Sequence, residues 1–457
     1  MSLSRRHFLA SLGATAFAQP PSAPLNLIYI IADQHSGICL PAAGDPYIKV
    51  PNLERLARSG VTFLDTCTAG MTCAPSRASM DTGLHVESHG VRTNGIPLPP
   101  DVPSIHRELE RHGYITSQDP KEYDAWAKSL GYEDMDGRII GSRPLSKLIP
   151  TPYRYATGRA GLAPEHTYDA YVTNAALRFL EANHQRRFCC WVRLHGSHDP
   201  YVVPRPYDTM YDPAKLALPA YRAGEYDQKP PRQKRTWSSN QHADQLTDEQ
   251  LKIILAHYYG MVSHTDHLVG QILDRVEALG IAKNTVIVYT ADHGDTMGRH
   301  RMFTKGFAFY EPAIRVPWII RTPQPLPRNK IVRQPASGVD ILPTVLELMN
   351  LPPLPKLHGE SLVPHWRADL PITDRPVYGG QGFEGSDRAV MLRTKRWKLA
   401  RYDDGGWELY DRQNDPGELL SLHAEPAHRE TFLKLKEQLE AWDSSHPHRE
   451  PRTNPQN

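Results

Sequence analysis

Hydrophobic positions along the chain predict buried strands alternating with helices. Leu25 to Ala32 (LNLIYIIA) is a continuous β-favouring run that ends at Asp33, the pattern of a strand covered on both faces. Phe188 to Leu194 and Thr285 to Thr290 repeat that pattern, and the latter ends just before Asp292. Helical spacing marks Pro51 to Ser59, stopped by Gly60, and a helix starting at Ser76 and running to Gly83. A long helical stretch covers Thr247 to Leu279, and its opening Thr247-Asp248-Glu249-Gln250 has the form of a capping box. A strand over Arg315 to Arg321 and a helix over Pro343 to Met349 continue the alternation. The expectation is an α/β fold with a mostly parallel central sheet flanked by helices. Ligands of such sheets gather beyond the C-terminal ends of the strands, which makes Asp33 and Asp292 candidates on architecture alone.

After about residue 370 the period changes. Arg388 to Tyr402 alternates, Gly405-Gly406 makes a turn, and Trp407 to Tyr410 returns, which predicts an antiparallel hairpin. A closing helix over His428 to Ser444 precedes a polar tail. The expected organisation is a main domain over 24–370 and a small α+β subdomain with an antiparallel sheet over 371–457.

Composition narrows the classes. The 457 residues are 40% hydrophobic and 23% charged, as in ordinary globular chains, with a net charge of +2. Nucleic-acid binding through bulk charge is excluded, and no apolar run is long enough for a membrane span. Proline, at 41 residues, is high and predicts long irregular loops on a regular scaffold. The start, Ser4-Arg5-Arg6-His7-Phe8-Leu9, a weakly apolar run and Ala16-Phe17-Ala18, has the layout of a signal peptide over 1–18. Its paired arginines point to the twin-arginine translocase and a periplasmic or secreted protein. Five cysteines lack zinc-site spacing, and an odd count leaves at least one thiol unpaired. Cys189 and Cys190 fall in a strand and read as small buried hydrophobes.

Two strand-end pairs, Asp33/Gln34 and Asp292/His293, offer carboxylate, amide and imidazole donors for one hard cation, Ca²⁺, Mg²⁺ or Mn²⁺. The segment Cys73-Ala74-Pro75-Ser76-Arg77, with Thr82-Gly83 downstream, resembles the C-x-P-S-R signature of type I sulfatases. The resemblance extends over nearly the whole chain: Ile31-Ala32-Asp33-Gln34, Thr290-Ala291-Asp292-His293-Gly294-Asp295, Lys305-Gly306, Tyr310-Glu311, Arg315-Val316-Pro317 and Glu408-Leu409-Tyr410-Asp411. It implies an alkaline-phosphatase-like fold and a sulfuric-ester hydrolase acting on sulfated glycans or aryl and alkyl sulfates. It further implies oxidation of Cys73 to formylglycine by a maturation enzyme, and one divalent metal, Ca²⁺ foremost. The metal would be held by Asp33, Gln34, Asp292 and His293 together with position 73. Arg77 and Lys305 would supply positive charge, and His198, in His195-Gly196-Ser197-His198-Asp199-Pro200, would contact the sulfate or protonate the leaving group. His300 and Asn94 are further substrate-binding candidates.

Two departures stand out. Most sulfatases have two adjacent aspartates where Asp33-Gln34 stands, and a Gly-Lys-x-His segment where Gly113-Tyr114-Ile115-Thr116 runs into Ser117-Gln118-Asp119-Pro120. Lys121 is the nearest replacement cation. Phosphonate monoester and phosphodiester hydrolases, relatives in the superfamily, resemble this chain in the Asp-Gln and Asp-His sets, in lacking that pair and in an asparagine near Asn94. They supply a second reading, and a non-catalytic binder of sulfated glycans is a third from another class. The basic run Tyr221 to His242 reads first as a solvated loop; if it rims the cleft, Arg222, Arg232, Lys234, Arg235 and Trp237 would meet an anionic sugar.

Overall fold

The computed structural model describes residues 25–117, 145–149, 157–160, 163–231, 233, 246–305, 308–368, 370–382, 388–446 and 449. The leader over 1–18, Lys121, Arg232, Lys234, Arg235, Trp237, Gly306 and the end of the polar tail lie outside them.

A seven-stranded sheet organises the chain. Its strands are β1 (Asn26–Ala32), β2 (Val61–Phe63), β3 (Ile115–Thr116), β4 (Phe188–Leu194), β5 (Thr285–Thr290), β6 (Trp318–Arg321) and β7 (Lys330–Val332). They lie in the order β7-β2-β6-β5-β1-β4-β3. The central strand β1 pairs in parallel with β4 and β5, Ala32 facing Leu194 and Ile31 facing Thr290, so three strand ends open on one edge.

Successive side chains of β1 point to opposite faces and build both halves of the core. Ile28 and Ile30 pack with Val262 and Val269 of the 31-residue helix Asp248–Ala278. Leu27, Tyr29 and Ile31 pack with Ile341, Leu342 and Val345 of the helix Ile341–Leu348. The capping box at Thr247 and Gln250 is formed. Thus the expected architecture is present, with one difference: β6 runs antiparallel to both β5 and β2, so the sheet is mixed. Parallel neighbours are usually joined by a crossover helix, whereas the described chain between β5 and β6 holds only the short helix Glu311–Ile314 and a 3₁₀ turn. Alternation of apolar runs carries no information about strand direction.

Four antiparallel strands form the C-terminal sheet: β8 (Val377–Gln381), β9 (Ala389–Arg393), β10 (Trp397–Tyr402) and β11 (Trp407–Asp411). One face, with Met391 and Tyr402, meets Cys67, Ala313 and Ile314 of the main body. The other, with Leu392 and Leu399, is covered by Leu435, Leu439 and Trp442 of the closing helix Arg429–Ser445. Both faces of this small sheet are therefore apolar, and its buried charges are paired: Arg393 bonds Glu311 and Asp65. No described helix is long and apolar enough to cross a membrane.

Candidate active site

The site lies at the open ends of β1 and β5 and at the start of the helix Cys73–Thr82. That helix begins three residues before the expected Ser76. Pro75 is tolerated there because first-turn N–H groups have no helical partner to lose. Two close approaches place it. Ser76 Oγ donates to the carbonyl of Asp292, and Gly70 has Ser76 N within 2.8 Å of where a Cβ would stand. Gly294 is similarly required, since a Cβ would fall 2.0 Å from the Pro312 carbonyl.

Residues far apart in sequence meet here. The Cys73 thiol lies 3.4 Å from His293 Nε2, 3.5 Å from Lys305 Nζ and 3.9 Å from Asp33 Oδ1. Arg77 spans the two acids, its Nε donating to Asp292 Oδ2 at 2.9 Å and its terminal nitrogen to Asp33 Oδ2 at 2.7 Å. His293 Nε2 faces the opposite oxygens, Oδ1 of Asp33 at 3.5 Å and Oδ1 of Asp292 at 3.8 Å. Donor atoms of Asp33, Cys73, Asp292 and His293 all lie within 4.8 Å of one another.

The donor set fits a divalent cation. His293 Nδ1 contacts the Gly294 carbonyl at 3.0 Å, so Nδ1 carries the proton and the Nε2 lone pair faces the acids. Burial lowers His293 to about 4, which keeps it neutral. Asp33 is opposed by burial, but His198, Arg77, His293 and Lys305 outweigh it and hold the carboxyl well below its usual range. Gln34 adopts a left-handed φ of 64° at the strand end, a conformation that costs about 1–3 kcal/mol. Its amide nitrogen donates to Asp295 Oδ2 at 2.7 Å, which fixes the amide's orientation, while its buried Oε1 has no hydrogen-bond partner. Gln34 follows Asp33 and donates its backbone N–H to Asp292 Oδ1 at 3.2 Å, and a buried carbonyl oxygen without a partner is a group that a hard cation would satisfy.

Burial, with Asp292 and Asp33 nearby, raises the Cys73 thiol to about 12. A thiol held protonated is a poor nucleophile as it stands. Lys305 Nζ also lies 3.2 Å from His198 Nε2, and His198 Nδ1 is 2.7 Å from the Asp199 carbonyl. Asn94 sits beside the helix start, its Oδ1 accepting the Ala74 N–H at 2.9 Å. His300 is placed elsewhere: it is buried, stacks on Tyr310 with ring centroids 3.6 Å apart, and faces Glu225. All five cysteines are free, and Cys189 and Cys190 are fully buried in β4.

Three supporting residues had no role in the sequence reading. Asp295 accepts from Gln34, from Tyr201 Oη at 2.7 Å and from the N–H of Met297 and Thr304. Asp169 accepts the backbone N–H of His195 and Gly196 at 2.6 and 2.9 Å, anchoring the loop that carries His198. Asp295 stands three positions after Asp292 and was within reach of a spacing argument; Asp169 and Tyr201 had no local signal.

Comparison with known proteins agrees with this geometry. The sulfatase family model matches residues 25–351, and one described as N-sulphoglucosamine sulphohydrolase, C-terminal, matches 298–445. The chain belongs to the sulfatase family, hydrolases of sulfate esters. It is 28% identical to an ulvan-active sulfatase of Formosa agariphila over 92% of this chain and 80% of that protein. Identity to arylsulfatase K of Bos taurus is 27% over 88% and 79% of the two chains. Among solved structures, a phosphonate monoester hydrolase from Silicibacter pomeroyi superposes with a TM-score of 0.82 at 26% identity, covering 93% of this chain and 96% of that one.

Proposed function

We propose that this sulfatase cleaves sulfate monoesters of glycans or of aryl and alkyl alcohols, with Cys73 matured to formylglycine and one divalent cation, Ca²⁺ foremost, with Mn²⁺ and Mg²⁺ as the competing ions. The observation that carries the reading is the meeting of Cys73 with Lys305, His293 and Asp33. Formylglycine supplies an aldehyde whose hydrate bears the attacking hydroxyl. When bound by Asp33, Gln34, Asp292 and His293, the cation supplies Lewis acidity at the sulfuryl oxygen and favours the ionised nucleophile. Arg77 holds the two acids in place through its paired contacts. Lys305 meets the charge of the ester, and His198, its Nδ1 held by the Asp199 carbonyl, contacts the sulfate through Nε2 or, in its imidazolium form, protonates the departing alcohol. Asn94 fixes the first turn beside the nucleophile. A leader over 1–18 would export the folded protein through the twin-arginine translocase to the periplasm or beyond, after maturation in the cytoplasm. Main domain and C-terminal subdomain divide near residue 370.

A second reading, phosphonate monoester or phosphodiester hydrolysis, is favoured by the Asp33-Gln34 pair and by the likeness to the Silicibacter pomeroyi enzyme. Two experiments test these. Peptide mass spectrometry over Cys73 should find a loss of about 18 Da, and an unmodified thiol in protein from a maturation-competent host would refute both readings. Comparing kcat/KM for an aryl sulfate, phosphonate monoester and phosphate monoester with one leaving group should rank the sulfate first. A phosphonate preference above tenfold, about 1.4 kcal/mol, would establish the second reading instead.

A further inference from the structure

Among the described residues a second group of metal-ligating side chains lies outside the active site: His85, His358 and His446, whose donor atoms all fall within 4.8 Å of one another. Three separate elements supply them. His85 follows the C-terminal end of the Cys73–Thr82 helix and precedes the short helix Val86–His89. His358 lies in the loop after the helix Ile341–Leu348, and its backbone N–H donates to the Gly83 carbonyl at 2.9 Å. His446 stands at the C-terminal cap of the closing helix. Ring centroids are 5.3 Å apart for His85 and His358, 5.3 Å for His85 and His446, and 4.5 Å for His358 and His446.

Two observations beyond clustering point to a ligand. His85 is buried, and its Nδ1 has no hydrogen-bond partner. The three rings line a cavity of about 270 Å³ with Arg375, Tyr378 and Trp442. His446 Nδ1 contacts the Trp442 carbonyl at 2.7 Å, which places its proton on Nδ1 and leaves the Nε2 lone pair available. His358 Nδ1 accepts the His85 backbone N–H at 3.0 Å, a contact that turning the half-buried ring would exchange for a metal bond. Arg375, the cation of the cavity wall, is already ion-paired with Asp340 and Glu360.

We propose that His85, His358 and His446 form a second metal site, selective for Zn²⁺ over the hard cation of the active site, that clamps the closing helix to the end of the Cys73 helix. Three imidazoles with no carboxylate among them suit a borderline dication, whereas the oxygen-rich set around Asp33 suits a hard one. Tetrahedral Zn–N bonds of about 2.0–2.1 Å require nitrogens roughly 3.4 Å apart, a short closure from the observed spacing. The fourth position faces the cavity and takes a water. Because the three ligands come from elements distant in sequence, the bound ion resists detachment of the closing helix.

The test loads chelator-stripped protein with Zn²⁺, removes unbound metal by gel filtration and counts zinc by elemental analysis. An Asp292→Asn background, with its active-site metal set impaired, is expected to retain one Zn²⁺ per chain and to melt at higher temperature with Zn²⁺ than without. Adding His446→Ala should lower the zinc content to none and abolish the thermal shift, with far-UV dichroism unchanged. In the otherwise wild-type chain, His446→Gln and His358→Gln should each lower zinc content by one equivalent and leave turnover unchanged. Zinc content unaffected by these substitutions, or no zinc bound in the Asp292→Asn background, would overturn the proposal.

Discussion

Lys305→Met removes a positive charge while keeping most of the side-chain volume, so its effect isolates electrostatics. The ammonium lies 3.5 Å from the Cys73 sulfur and 3.2 Å from His198 Nε2, between the nucleophile and the proton donor. Nearby Cys73, Asp33 and Asp292 outweigh burial and raise its pKa, so it is charged at neutral pH. A sulfuryl group seated against position 73 would place an anionic oxygen about 4 Å from Nζ, and two unit charges at that separation interact by about 4 kcal/mol at an effective dielectric constant near 20. Only the part that strengthens as negative charge moves onto the leaving oxygen and sulfuryl oxygens lowers the barrier. Removal of one such donor elsewhere costs about 10²–10³ in rate, or about 2.7–4 kcal/mol, which is consistent with the Coulomb figure. The expected outcome is a 10²–10³-fold fall in kcat/KM for an aryl sulfate. Metal content should not change, because a charged ammonium has no lone pair to offer a cation. Lys305→Arg should recover part of the loss, since charge returns in a shape that the gap does not match. A Lys305→Met enzyme within tenfold of wild type, at equal formylglycine and metal content, would refute the reasoning.

Asp292→Asn should lower metal occupancy and turnover together, because it removes a donor that Arg77 also holds; full activity after exhaustive chelation of the wild type would contradict the metal assignment. Burial raises the Asp169 carboxyl to about 7, against backbone hydrogen bonds from His195 and Gly196. The folded state then holds this proton more tightly than the unfolded state, so its contribution to stability declines as pH rises from about 4 to 7 and is constant above. In urea unfolding the wild type minus Asp169→Asn difference should follow that course, and a difference independent of pH would rule it out. Arg393→Met strips a buried cation from Glu311 and Asp65, and should cost about 3 kcal/mol, the lower end for a broken buried pair, because Lys398 and Arg412 still contact Glu311. A melting temperature unchanged within error would show that the pair contributes nothing net.

Local pattern alone determined much of this protein. Apolar runs placed β1, β4 and β5 within a residue of their observed ends, since burial on both faces leaves a continuous hydrophobic signature. Thr247 and Gln250 marked the start of the longest helix, because a capping box is complete within four residues. Contiguous segments around Cys73 and Asp292 pointed to the chemistry for the same reason. Tertiary structure decided what depends on contacts across the chain. Strand order put residues 33, 73, 198, 293 and 305 around one point, made Arg77 a bridge between Asp33 and Asp292, and gave Asp169 and Asp295 their supporting positions. It also set β6 antiparallel and moved His300 against Glu225 and Tyr310. Periodicity records which face of an element is buried but not what covers it, so a partner some 200 residues away leaves no trace until the sheet is assembled.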